Sequence, residues 1–339
     1  MLFRSPLRRT LGDLARDPER AARLRLPLGG FVGLGGFVYA FLCLGGWLDE
    51  PSLVSEAHDL TLLFTPERLA AAAEPDVVDG CAGAVLALLA LDVAAPGTNA
   101  AGATPLDVAV ACAGHLLDRL RSHQGRPRAW PGAAAPPLGG FAHGSTGIGY
   151  ALFRLYKRTG DPALRDTALE GFAFDRSLFD AGADNWLDPR TGRLLEQSAW
   201  CHGAPGILLG RLGALDIHQP DGAELDRLVR LTRAVPFRPL DHLCCGNLGR
   251  AEILLFAHQA LGGGELLDDV RSLAERTMAR AETEGGFALC RPGETPGLRP
   301  AFFHGLSGIG YALLRLTGAR PLPCILCLES STCPLPIRC

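Results

Sequence analysis

No run of lysine or arginine occurs in this 339-residue sequence, and its formal net charge is −3. Together these exclude an electrostatic nucleic-acid-binding surface. Arginine supplies nearly all of the positive charge, scattered among acids as on a solvated helical exterior. No secretory hydrophobic region follows Met1, and the eleven cysteines are odd in number. A disulfide framework is therefore disfavoured. A reducing, cytoplasmic setting with metal-binding or reactive thiols is expected instead. Charged residues make up only 20% of the chain against 47% hydrophobic, which excludes wholesale disorder and allows a large core. One stretch is long enough to span a bilayer: Leu28 to Leu48, 21 uncharged residues preceded by Arg20, Arg23 and Arg25. Seven glycines interrupt it, and its Gly33-x-x-Gly36 recurs in plainly soluble segments. A buried core helix, with no stable membrane span, is the expectation.

What is present is a repeat. Gly33-x-x-Gly36 precedes FVYAFLCL, Gly80-x-x-Gly83 precedes AVLALLAL, and Gly144-x-x-Gly147 precedes IGYALFRLY. The series continues with Gly203-x-x-Gly206, Gly246-x-x-Gly249 and Gly305-x-x-Gly308, each again ahead of an apolar run of helical length. Each unit reads as a turn opening a buried helix. The intervening segments, such as Asp107 to Ser122 and Leu225 to Ala234, are amphipathic, as partly exposed helices should be. One buried and one exposed helix per repeat pack most simply as concentric rings, an all-α α/α-toroid. Proline-rich stretches at Arg126 to Pro137 and Arg291 to Pro300 read as long connections rather than domain linkers. Glycine permits the sharp turns that crowd helix N-termini at one end of the barrel. Side chains flanking the turns then converge on one cavity.

Those flanking residues carry chemistry. They are Asp76 and Asp79, His143, Cys201 with His202, Cys244 with Cys245, and His304. Zinc prefers thiolate and imidazole ligands, and three protein ligands with one open position is its catalytic arrangement. Cys201, Cys244 and Cys245 offer three thiolates. Cys43, Cys81, Cys112 and Cys290 read as small buried hydrophobes. Asp76 alone would more often cap a helix, and His143 alone would more often be a satisfied histidine. His304 repeats the context of His143 and reads either as a site residue or as a habit of the repeat. Cys324, Cys327, Cys333 and Cys339 lie near the proline-rich C-terminus, where a second metal site is not expected.

The combination of Trp200-Cys201-His202-Gly203, Cys244-Cys245-Gly246-Asn247-Leu248-Gly249 and Gly140-Phe141-Ala142-His143-Gly144 resembles lanthionine synthetase C-type cyclases. It is most similar to the C-terminal cyclase half of the bifunctional type II (LanM-class) lanthipeptide synthetases. The resemblance runs from about Leu11 to Glu329. It implies a cyclase domain over 1–329 and an irregular tail over 330–339, without the dehydratase half that precedes the cyclase in bifunctional members. A fragment, a truncated product and a stand-alone cyclase working with a separate dehydratase all remain open. The resemblance further implies an α/α-toroid with a central zinc ion held by Cys201, Cys244 and Cys245. His143 becomes the acid/base residue, Asp76 its acidic partner and His202 a second candidate. The implied substrate is a dehydrated precursor peptide with a leader. Its cysteine thiols add to dehydroalanine or dehydrobutyrine to close the thioether rings of lantibiotics.

Physical reasoning runs beside that. A free thiol is only a few per cent ionised at neutral pH; zinc would deprotonate and hold it, and an acid must then deliver a proton to Cα. Many family members carry Cys-His where this chain has Cys244-Cys245. A third protein thiolate takes the formal charge of the zinc centre with bound substrate from −1 to −2. A more nucleophilic substrate sulfur and broader substrate tolerance are expected; unchanged rates across several precursors in Cys245→His would contradict this. Among other readings, a protein prenyltransferase β subunit typically uses Asp, Cys and His, which the adjacent cysteines disfavour. A toroidal glycosidase needs two flanking carboxylates, and no second acidic site appears at another turn. A non-catalytic zinc- or thiol-peptide-binding relative stays open.

Overall fold

Helices start where glycine pairs stand. The computed structural model describes Asp13, Asp17 and residues 26–290, 299–318 and 321–330. In order its elements are α1 (Leu34–Trp47), α2 (Pro51–Leu60), α3 (Pro66–Ala71), α4 (Cys81–Ala94) and α5 (Pro105–Asp118), then strands β1 (Arg121–His123) and β2 (Arg126–Ala129). Next come α6 (Ser145–Thr159), α7 (Pro162–Ser177), and strands β3 (Phe179–Asp180), β4 (Asn185–Asp188) and β5 (Arg193–Leu194). Helices α8 (Ala204–Gly213), α9 (Gly222–Ala234), α10 (Asn247–Leu261), α11 (Gly264–Glu284) and α12 (Leu306–Leu316) complete it. Helices α1, α4, α6, α8, α10 and α12 each follow directly on the first glycine of one Gly-x-x-Gly unit.

A glycine at the N-cap offers no side-chain acceptor, so the first amides of these helices need other partners. The backbone supplies them in one recurring pattern, seven residues upstream. Gly35 donates to the Leu28 carbonyl (3.1 Å), Ala82 to Pro75 (3.1 Å), Ser145 to Leu138 (2.8 Å) and Gly206 to Ala199 (3.3 Å). Asn247 donates to Leu240 (2.9 Å) and Leu306 to Arg299 (2.8 Å). The loop must therefore double back against its own helix, and the second glycine is where it passes. A Cβ on Gly249 would lie 1.8 Å from the Leu243 carbonyl oxygen, and one on Gly206 2.1 Å from that of Trp200. Close approach, more than an unusual dihedral, is what glycine supplies at these turns. Gly249→Ala is expected to destabilise the chain by about 3 kcal/mol. Gly310→Ala, a helical glycine with open space around it, should be neutral or slightly stabilising. Denaturant titration of the two variants checks the contrast.

The expected alternation of buried and exposed helices is present. Helix α4 is buried from Cys81 through Asp92, α8 is buried throughout, and α10 from Asn247 to Ala257. Their partners α5, α9 and α11 bury one face only. Two arginines on the buried helices meet carboxylates, as the low-dielectric interior favours. Arg211 of α8 meets Glu224 of α9 at 3.0 Å, and Arg315 of α12 meets Glu252 of α10 at 2.8 Å.

The chain divides into two compact units. Among the described residues, one is drawn from 26–137, Ile148–Ala173 and 327–330, the other from Leu138–Gly147, 174–290, 299–318 and 321–326. In the first, α1 packs on α2 and α4, and α4 on α5. In the second, α10 packs on α8, α11 and α12. The apolar stretch Leu28 to Leu48 is helical only from Leu34 to Trp47, and most of one side is buried. Among the described residues no helix is long and apolar enough to cross a membrane.

Two local differences from the sequence reading appear. The helix expected to reach Ser122 ends at Asp118, and the chain enters the β1–β2 hairpin through Gln124 and Gly125 in left-handed conformation. The proline-rich connection thus begins as strand β2, and the Trp130 indole N–H, donating to the Leu116 carbonyl at 2.8 Å, fixes its exit. The small antiparallel sheet β3-β4-β5 had no sequence signal. Leu11, Arg20, Arg23, Arg25, the segment 291–298 and the tail past Ser330, with Cys333 and Cys339, lie outside the described residues.

Candidate functional site

The second unit brings the turns before α6, α8, α10 and α12 together with their chemistry. The turn ahead of α8 is held by Trp200, whose indole N–H donates to the Leu326 carbonyl at 3.2 Å. Its ring stacks on Phe303 with centroids 5.0 Å apart. The Ser198 hydroxyl accepts from the Ala204 amide at 3.0 Å, which orders the first turn of the helix. Cys201 and His202 project from between these anchors.

The turn ahead of α10 is built around two buried polar side chains. The Asn247 amide accepts from the Arg238 backbone N–H (2.8 Å) and donates to the Arg238 carbonyl (2.9 Å). Asp241, with no solvent exposure, accepts from Asn247 Nδ2 (3.2 Å), from the Ala288 backbone N–H (2.9 Å) and from the Arg280 guanidinium. The Cys244 amide donates to the Phe303 carbonyl at 3.2 Å, which ties this turn to the one ahead of α12. An irregular backbone so fixed presents two consecutive cysteines, which a regular helix or strand would splay apart.

The Cys244 thiol lies beside both Cys201 and Cys245 and is disposed to hydrogen-bond toward either. Those hydrogen bonds hold the Cys201 thiol below its ordinary range and bring Cys245 down to about 4, while the donor Cys244 is pushed far up. The imidazoles of His242 and His304 favour the Cys245 thiolate further, and His143 does so for Cys201. Three partly buried sulfurs, two of them disposed to be anionic, are donors of the soft type that zinc takes.

His143 stands beside this cluster. The turn that carries it begins at Gly140, where φ is +99°, and a Cβ there would lie 2.6 Å from the Cys201 carbonyl oxygen. The His143 and His202 rings are 5.8 Å apart. Burial, and next the charge of Arg190, push the His202 imidazolium down to about 4, so His202 is neutral at pH 7. His304 packs edgewise on His242 with centroids 4.9 Å apart. Asp76 belongs to the first unit. It is buried, and its Oδ1 accepts the Asp79 amide at 2.8 Å ahead of α4. His242, Arg238 and Asp241 escaped the sequence reading. The only signal was their position within seven residues of Cys245, with nothing periodic about it.

The His143 turn rests on a buried network. Asp175 accepts the Gly140 N–H at 3.1 Å and the Thr146 hydroxyl, while Arg211 bonds the same hydroxyl at 3.3 Å. Burial outweighs these partners and raises the Asp175 carboxyl to about 6. The folded chain therefore binds this proton more tightly than the unfolded chain does. The group's contribution to stability falls as pH rises from about 4 to about 6. Asp175→Asn cannot titrate, so its unfolding free energy minus that of the wild type should rise through this window and level off above it. Denaturation curves at a series of pH values read this, and a falling difference would contradict the burial argument.

Comparison with known proteins places this arrangement. The fold and site together define an all-α protein that gathers thiols and imidazoles at repeated glycine turns. A family profile described as "Lanthionine synthetase C-like protein" matches residues 12–327, and the chain belongs to that family. No curated protein sequence matches it. Among solved structures it is similar to a nisin cyclase, with a TM-score of 0.50 at 16% identity over 95% of this chain and 97% of the other. It is also similar to a polysaccharide lyase, with a TM-score of 0.52 at 12% identity over 95% and 96%. The fold class is the α/α-toroid. That a lyase shares it is a reminder that function must be argued from the site.

Proposed function

We propose that the chain is a zinc-dependent lanthipeptide cyclase of the type found in LanM-class synthetases. It would add peptide cysteine thiols to dehydroalanine or dehydrobutyrine in a dehydrated precursor bearing a leader. The observation that supports the reading is the proximity of Cys244 to Cys201 and to Cys245, with His143 near Cys201. Zinc held by the three cysteines would supply a Lewis acid that keeps the substrate thiol ionised at neutral pH. The sulfur attacks Cβ of the dehydroresidue, a C–S bond forms, and negative charge moves through Cα onto the amide oxygen. His143 delivers the proton to Cα. His202, neutral at pH 7, is a poorer proton source and serves to orient the reacting groups. Asp76 keeps the role of acidic partner that the sequence resemblance gives it.

The reaction is an isomerisation, so ring closure consumes free thiol at unchanged mass. Incubating the zinc-loaded chain with a dehydrated precursor peptide, and following thiol titre and mass together, tests the reading. Loss of thiol without change of mass supports a cyclase. Stoichiometric zinc and peptide binding with the thiol intact would assign the chain to a non-catalytic binder.

A further inference from the structure

Two guanidinium groups lie near the sulfur cluster, and their situations differ. Arg190 is already neutralised: its Nε and Nη2 bond the Asp188 carboxylate at 2.9 and 2.8 Å. Arg238 is not. Its Nη2 donates to the backbone carbonyl of Ser198 at 2.8 Å, and among the described residues no carboxylate pairs with it. The side chain is partly buried, and with Cys244, Cys245 and Trp200 it lines a small pocket. A buried cation without a counter-ion is strongly disfavoured. The polar side chains that share this pocket with Arg238 include those of Cys244 and Cys245.

The placement of the residue is equally specific. Its backbone is clamped on both sides by Asn247, at the start of α10, and its carbonyl accepts a further bond from Arg280 Nη1 at 2.8 Å. Its side chain crosses to the turn that carries Cys201. One residue thus ties the two cysteine turns together and brings a fixed positive charge to the pocket that Cys244 and Cys245 line. We infer that Arg238 is a positioning residue that acts as counter-ion to the three-thiolate cluster, offsetting the extra negative charge that Cys245 contributes where a histidine would be neutral. This rests on the zinc-thiolate reading above.

The test is a double-mutant cycle on zinc affinity, read by chelator competition on the full chain. Arg238→Met should weaken zinc binding roughly 10- to 100-fold, in the range of outer-shell substitutions. Arg238→Lys should recover most of the loss, because charge is retained even though the single bond to the Ser198 carbonyl is not. In a Cys245→His background, where one negative charge is gone, Arg238→Met should cost markedly less. Wild-type affinity in Arg238→Met, no recovery with lysine, or an equal penalty in both backgrounds would each overturn the counter-ion role. A wild-type chain that binds no zinc would overturn the zinc reading itself and this inference with it. Circular dichroism of the metal-free variants should match the wild type, separating loss of the counter-ion from loss of fold.

Discussion

Cys201→Ala is expected to abolish stoichiometric zinc binding and to lower cyclisation by roughly a thousandfold or more, while the helical fold persists. The turn does not depend on the thiol for its shape. It is anchored by Trp200 on Leu326 and Phe303, by Ser198 on the Ala204 amide, and by Arg238 on the Ser198 carbonyl. Removing the sulfur therefore takes away a ligand and little packing. Two of the three proposed ligand thiols remain, too few for the three-thiolate set. Cys244→Ala should behave alike for zinc. It should differ in the metal-free protein, because the donor shared by Cys201 and Cys245 is lost. Metal analysis after dialysis, with a thermal melt on the same samples, checks both halves of the expectation. Retention of about one zinc per chain in Cys201→Ala would remove that residue from the ligand set.

The second large effect concerns a residue that touches no metal. Asp241→Ala should destabilise the chain by about 3–5 kcal/mol, the usual range when one partner of a buried ion pair is removed. Asp241 is wholly buried and receives Arg280, Asn247 Nδ2 and the Ala288 amide. Without the carboxylate the mostly buried Arg280 loses its counter-ion, and Asn247 loses one of the bonds that fix the start of α10. For 339 residues, that loss corresponds to a melting temperature lower by roughly 4–7 °C. Because the same contacts shape the Cys244-Cys245 turn, zinc affinity should fall along with stability. A stable Asp241→Ala protein that binds zinc normally would show that the turn holds itself.

How much of this was legible in the sequence depends on the range of the interactions. The Gly-x-x-Gly units announce six helix starts because the requirement is local: a loop that returns seven residues later leaves no room for a side chain at Gly206 or Gly249. The buried helices α4, α8 and α10 are apolar over long windows and could be read directly. The cysteines at Cys201, Cys244 and Cys245 stood out because thiols are unexpected at helix starts. What was hidden is long-range. Strands β3 to β5 are two to four residues long and find their partners only in the folded chain. Asp241, Arg238 and His242 look like ordinary polar residues until Arg280, Ser198 and His304 arrive from other segments. The candidate thiols could thus be picked out from type and place, whereas the support around them could not.

The most direct test of the central claim is a metal-dependence measurement on the intact chain. The protein is stripped of metal, incubated with a dehydrated precursor peptide, and then given zinc, with free thiol and peptide mass followed throughout. The cyclase account predicts a steady thiol titre before zinc and its loss afterwards at constant mass, with Cys201→Ala unresponsive. Thiol loss at the same rate with and without zinc, or none in either case, would contradict it.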